Sequence, residues 1–140
     1  MDGLQRRKGA ILMEDYSNIQ AMLIVLLLLQ IKHFVADFVL QTDRMVAEKG
    51  TYGAKYGIYH SLVQALGTMI AFGWMHPVIG VATGFLDFLA HYHIDWLKMN
   101  INRWRNLTIK DYEFWVWLGA DQLAHQITYV FLVGWVFFAF

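Results

Sequence analysis

The sequence predicts an all-α integral membrane protein, built as an up-down bundle of four transmembrane helices. Three observations lead there. Hydrophobic residues make up 58% of the 140-residue chain and charged residues only 16%, where soluble chains carry about one quarter charged residues. Apolar segments recur four times, each near the roughly 20 residues that cross a hydrocarbon core of about 30 Å at 1.5 Å per residue. The polar residues inside those segments recur at spacings of three and four, the period of a helix.

Composition also excludes some classes. Lys plus Arg and Asp plus Glu are both 11. No basic tract pairs with a recognisable nucleic-acid motif, so no nucleic-acid partner is expected. The chain has no Cys, which removes disulfides and thiolate chemistry.

Residues 1–18 read as a polar tail with RRK at 6–8, and residues 19–140 as the transmembrane domain. The first apolar segment lacks a small-residue cleavage site and continues in a helical pattern, so it reads as a helix and not as a signal peptide. Helix one is expected over about residues 19–42, and residues 43–54 as the first substantial loop. Helix two is expected over about 55–74. GWMHP then makes a tight turn, and Pro77 suits the first turn of helix three, where its missing N–H is not needed. Helix three is expected to run to about residue 98.

Residues 99–113 are polar, yet Trp96, Leu97, Ile101, Trp104 and Thr108 recur at roughly helical spacing. A short interfacial helix is expected there, with a plain loop as the alternative. Helix four is expected from about residue 114 to the end, its Trp, Tyr and Phe residues forming an aromatic belt.

Four helices place both termini on one side and the two longer loops on the other. The loop side carries Arg44, Lys49, Lys55, Lys98, Arg103, Arg105 and Lys110, and the terminal side Arg6, Arg7 and Lys8. The positive-inside rule puts the two longer loops in the cytoplasm. The expected partner is the lipid bilayer, with further copies of the chain or other membrane proteins left open.

The polar residues form stripes. Helix one carries Gln30, His33, Asp37 and Gln41, helix two His60 and Gln64, helix three Asp87, His91 and Asp95, and helix four Asp121, Gln122, His125 and Gln126. An up-down bundle brings His33, Asp37, His60, His91, Asp95, Asp121 and His125 to one layer, in the half nearest the longer loops. A carboxylate in hydrocarbon is costly unless it faces the bundle interior and finds a partner. Imidazole and carboxylate are ligands that zinc, manganese or iron accept, and ligand pairs four residues apart on several helices resemble helical di-metal sites. These seven are therefore the candidate metal ligands, with Asp37, Asp95 and Asp121 as candidate ligands or general bases in catalysis. A structural His/Asp/Gln network and a proton or ion pathway are the competing readings.

Other polar residues receive weaker roles. Asp87 is placed to orient His91, and Lys32 either snorkels or pairs with an acid inside the bundle. His76 reads as an interfacial turn residue and His93 as a group outside the shared axis. Gly80 and Gly84 fit the small-x-x-x-small pattern of close helix contact.

The ordered set HFVADFVLQTDRM (33–45), His60, HYHIDWLK (91–98) and DQLAHQIT (121–128) resembles an uncharacterised bacterial integral membrane family, catalogued as a domain of unknown function, over about residues 22–135. The resemblance implies a small multi-pass protein of the bacterial inner membrane. A looser similarity to membrane-bound metal-dependent hydrolases implies a divalent metal at those seven residues. With a divalent ion there, hydrolysis is the expected reaction class, and because the layer lies toward the cytoplasmic interface a membrane or lipid-linked substrate fits better than a soluble one.

Overall fold

The computed structural model describes residues 3–139. Helix α1 spans Gly3–Phe34 and passes into a π-helical turn at Val35–Val39. Helix α2 is short, Asp43–Glu48, and three long helices follow, α3 Lys55–Gly73, α4 Pro77–Trp104 and α5 Tyr112–Ala139. Helix α1 packs on α3 and α5, and α4 packs on the same two, so the four long helices close a ring.

Several expected boundaries move. The segment read as a polar tail is helical from Gly3 onward, and its first two residues lie outside the described residues. No Pro interrupts it, and its exposed residues extend α1 beyond the bundle. Helix one does not run unbroken to residue 42. The Leu40 N–H reaches back five residues to the Val35 carbonyl at 2.9 Å, which widens the last turn around Asp37. Thr42 then caps α2, accepting from the Met45 N–H at 3.4 Å, so half of the expected first loop is helical.

Gly53 holds φ 79°, a conformation that disfavours a side chain, and its N–H donates to the Tyr92 hydroxyl at 2.6 Å. That bond ties the turn before α3 to α4. At the other end His76 caps α4, its Nδ1 accepting from the Val78 N–H at 3.3 Å, with Pro77 in the first turn as expected. A Cβ on Gly80 would lie 2.8 Å from both Gly73 Cα and the Met69 carbonyl, so α3 and α4 meet backbone to backbone there.

No separate interfacial helix fills 99–113. Residues 99–104 continue α4, held by the buried Asn100, whose amide donates to the Gly50 carbonyl at 2.9 Å and the Trp96 carbonyl at 2.7 Å. Asn106, at φ 52°, takes the left-handed conformation that ends the helix. Asp111 closes the connection to α5, accepting from the Thr108 N–H at 2.7 Å and hydroxyl at 2.8 Å, and these bonds hold its carboxyl below the usual carboxylate range.

Two helical stretches, Met13–Val39 and Tyr112–Ala139, are long and apolar enough to cross a membrane, where four were expected. Helices α3 and α4 fall short because their interior faces are polar: His60, Ser61, Gln64 and Thr68 on α3, Thr83, Asp87, His91 and Asp95 on α4.

The interior divides into two halves. Val25, Leu29, Ala71, Phe72, Leu132, Val133 and Val136 pack an apolar half toward the α3–α4 turn. Tyr129 sits at the boundary, and beyond it the interior is polar.

Candidate metal centre in the polar half of the bundle

The structure brings all seven candidate ligands together, and each is buried. His33 and Asp37 come from the end of α1 and its π turn, His60 from the first turns of α3, His91 and Asp95 from α4, and Asp121 and His125 from α5.

The centre of the layer is an imidazole pair. His60 Nε2 and His91 Nε2 lie 3.1 Å apart. Asp37 Oδ1 lies 3.0 Å from the first and 3.6 Å from the second. Asp95 Oδ2 faces the same two nitrogens at 3.3 and 3.4 Å. A tetrahedral ion with bonds of about 2.0–2.1 Å sets its ligand atoms roughly 3.3 Å apart. The triangle of Asp37 Oδ1, His60 Nε2 and His91 Nε2 therefore has the size of one face of such a site, and it is one of three such groups in the layer.

Asp95 links this face to the next. Its Oδ1 lies 3.7 Å from His125 Nε2, which is also 3.7 Å from Asp121 Oδ1. Asp95, Asp121 and His125 form the second group. His33, His91 and His125 form the third, with the His91 and His125 rings stacked at 4.0 Å.

Charge balance separates the acids. Lys32 Nζ pairs with Asp87 Oδ2 at 2.7 Å, Lys49 Nζ with Asp95 Oδ2 at 3.1 Å, and Lys98 Nζ with Asp121 Oδ2 at 4.0 Å. Among the described residues Asp37 has no lysine at ion-pair distance. Its neighbours are His33 Nε2 at 3.3 Å, His60, His91 and the Gln64 amide, which donates to Oδ1 at 2.7 Å. A buried carboxylate in that position needs a proton or cation close by.

The donor set fits a divalent ion. Asp95 Oδ1 and Oδ2, Asp121 Oδ1 and His125 Nε2 are buried without a well-directed hydrogen bond, all in this one layer. The Lys49–Asp95 contact is close in distance but poorly aimed. Buried polar atoms are rarely left so, and a group of them points to an unrecorded partner. Two features run the other way. His91 Nδ1 has no hydrogen-bond partner, where a liganding imidazole usually donates through its second nitrogen. His33 already uses both nitrogens, Nδ1 with the Tyr129 hydroxyl at 2.8 Å and Nε2 with Gln122 Oε1 at 3.0 Å, so ligation by His33 requires giving one of them up.

Some expected roles change. Asp87 does not orient His91; it accepts from Lys32 and from the Thr68 hydroxyl at 2.8 Å. Lys32 pairs inside the bundle and does not snorkel. Gln30 and Gln126 are exposed and leave the stripes. His93 lies outside the layer, donating to the Leu89 carbonyl at 2.7 Å. Lys49 was counted among the loop charges, yet it is buried and turned into the layer, and Lys98 reaches the same way. Sequence reasoning missed both lysines and Tyr129. For the lysines the available signal was the surplus of acids over cations inside the bundle.

Residues 23–139 match the model of a family described as protein of unknown function (DUF3307). No curated protein and no solved structure matches the chain.

Proposed function

The chain belongs to the DUF3307 family, and we propose that it is a multi-pass membrane protein whose polar layer binds a divalent metal ion. Asp37, His60 and His91 hold the ion, with Asp95 shared toward Asp121 and His125. The observation that carries this reading is the ligand-sized triangle built around Asp37, the one buried aspartate with no lysine partner among the described residues.

The surface supports a lipid environment. Among the described residues, buried polar or charged side chains outnumber buried hydrophobic ones, while Leu27, Ile31, Phe34 and Phe38 of the first helix and Ile127, Val130 and Phe131 of the last are exposed. A soluble bundle of this size cannot place charges inside and large apolar side chains outside, and lipid as solvent removes that conflict. On this reading all four long helices span an inner membrane. The polar stripes of α3 and α4 are the reason that those two fall short on hydropathy. Arg44, Lys55, Arg103, Arg105 and Lys110 still favour a cytoplasmic side for the connections that carry them.

Hydrolysis of a membrane or lipid-linked substrate is the reaction class that the donor set suits. A bound ion supplies a more acidic water and a Lewis acid. From the chain itself, Asp121 Oδ1 accepts no hydrogen bond, lies 3.7 Å from His125 Nε2 and is placed to take a proton, with Asp37 and Asp95 as ligands. One set of contacts favours a second reading. The pairs Lys32–Asp87, Lys49–Asp95 and Lys98–Asp121 also describe a structural network that fixes helix register in a non-enzymatic membrane protein.

Competition titration of zinc or manganese against a chelator separates the two. The metal reading expects tight binding by the detergent-purified chain, weakened at least about 100-fold in Asp37→Asn and His91→Gln. No binding by the parent chain would leave the structural network as the answer, and equal binding by the variants would place the ion outside the layer.

A further inference from the structure

Above the layer, on the side of the α1–α3 and α4–α5 connections, lies a cavity of about 620 Å³. Its wall includes Gln41, Lys49, Lys98, Asn102, Arg103 and Thr108. Three cations line it, and no acidic residue does. Lys49 and Lys98 stand between the cavity and the acids Asp95 and Asp121 below. Arg103 has no acidic partner among the described residues, so the cavity and its floor hold one more cation than anion. Asn102 also lines the cavity, and its amide N–H groups are donors that an anion can meet.

We propose that this cavity binds the phosphate of a phosphorylated ligand, with Arg103 as the principal contact and Lys49 and Lys98 closing on the oxygens nearest the acidic layer. The inference rests on the reading of the layer as a metal centre only for the ligand's role as a substrate; anion binding itself does not require the ion. The chemistry is that of an anion with several acceptor oxygens. A guanidinium meets two of these side by side, and ammonium groups meet others as point charges. Arg103 lies at the end of α4, so the phosphate would enter at the level of a lipid head group, and the layer would meet the ester just inside it. A membrane phospholipid and a free phosphate share this chemistry.

The full chain in nanodiscs distinguishes the sources. One arm compares discs of phosphatidylglycerol with discs of phosphatidylcholine by the number of lipids retained in native mass spectrometry. The other titrates inorganic phosphate. Retention of one anionic lipid per chain, or saturable phosphate binding, is expected. Either should fall about tenfold in affinity in Arg103→Gln, be only partly restored in Arg103→Lys, which keeps the charge and loses the paired donors, and be unchanged in the surface control Lys110→Gln. Lipid binding without phosphate binding assigns the head group, and competition between the two assigns the phosphate alone. Equal affinity in Arg103→Gln and the parent chain overturns the proposal. Metal content is measured on the same samples. Bound metal with no effect of Arg103→Gln sinks the anion site alone, and absent metal with an Arg103 effect sinks the metal centre alone.

Discussion

His60 and His91 face one another nitrogen to nitrogen, their Nε2 atoms 3.1 Å apart between Asp37 Oδ1 and Asp95 Oδ2. Two neutral imidazoles cannot both point lone pairs into that gap. Either a ring N–H donates, to the other ring or to a flanking carboxylate, or a metal cation occupies the site, and two carboxylates favour positive charge in the gap. Thermal unfolding in detergent should therefore respond to metal. Zinc or manganese at 100 times its Kd stabilises a protein by about 2.7 kcal/mol, and chelation removes that gain. His91→Gln should show no such shift. An equal shift in the variant would place the ion elsewhere.

Lys49 competes with any ion for Asp95, because its ammonium lies 3.1 Å from Oδ2 and is itself tied to Gln41 Oε1 at 2.8 Å. Removing one member of a buried pair costs about 3–5 kcal/mol. Lys49→Met in chelator is expected to lose stability on that scale. Added metal should restore much of the loss and bind several-fold more tightly than to the parent chain. A chelated variant as stable as the parent would show that the ammonium does not neutralise Asp95.

Helix α4 approaches α3 closely where residues 80 and 84 have no side chain. Gly80→Ala would press a methyl group against Gly73 Cα and the Met69 carbonyl, both backbone atoms that cannot turn aside. Forced overpacking costs about 1–3 kcal/mol, and the shift would also tilt His91 and Asp95 relative to His60. Unfolding temperature and metal affinity are expected to fall together. A neutral outcome in both would contradict the backbone-to-backbone contact.

The chain has no cysteine, so single introduced thiols can report sidedness without background. Thr51→Cys and Lys110→Cys should react with an impermeant reagent from the cytoplasmic face, and Trp74→Cys from the opposite face. Labelling of all three from one side would rule out four crossings.

Much of the layer was legible because period and direction suffice to find it. His33–Asp37 and His91–Asp95 run acid after histidine, Asp121–His125 runs the other way, and antiparallel helices need that reversal to bring the groups level. The starts of α3 and α4 were equally legible, at about residue 55 and at Pro77 after the GWMHP turn, while the His76 cap and the Gly53 turn emerged only in the structure. The π turn was not, because no Pro or Gly within Val35–Val39 announces it and the Leu40–Val35 bond competes with an ordinary helical turn by small margins. Lys49 and Lys98 were misplaced for a different reason. A long flexible cation beside a membrane can reach head groups or buried acids, and only the positions of Asp95 and Asp121 in space decide between them. The continuation of α4 to Trp104 depended on Asn100 meeting the Gly50 carbonyl, a contact across 50 residues.

The most direct test of the central claim is elemental analysis of the chain purified in detergent without chelator, beside a His60→Ala/His91→Ala double variant that remains folded by circular dichroism. The metal centre predicts close to one equivalent of zinc, manganese or iron per parent chain and almost none in the variant. A parent chain free of metal, or a variant that retains it in full, would contradict the account.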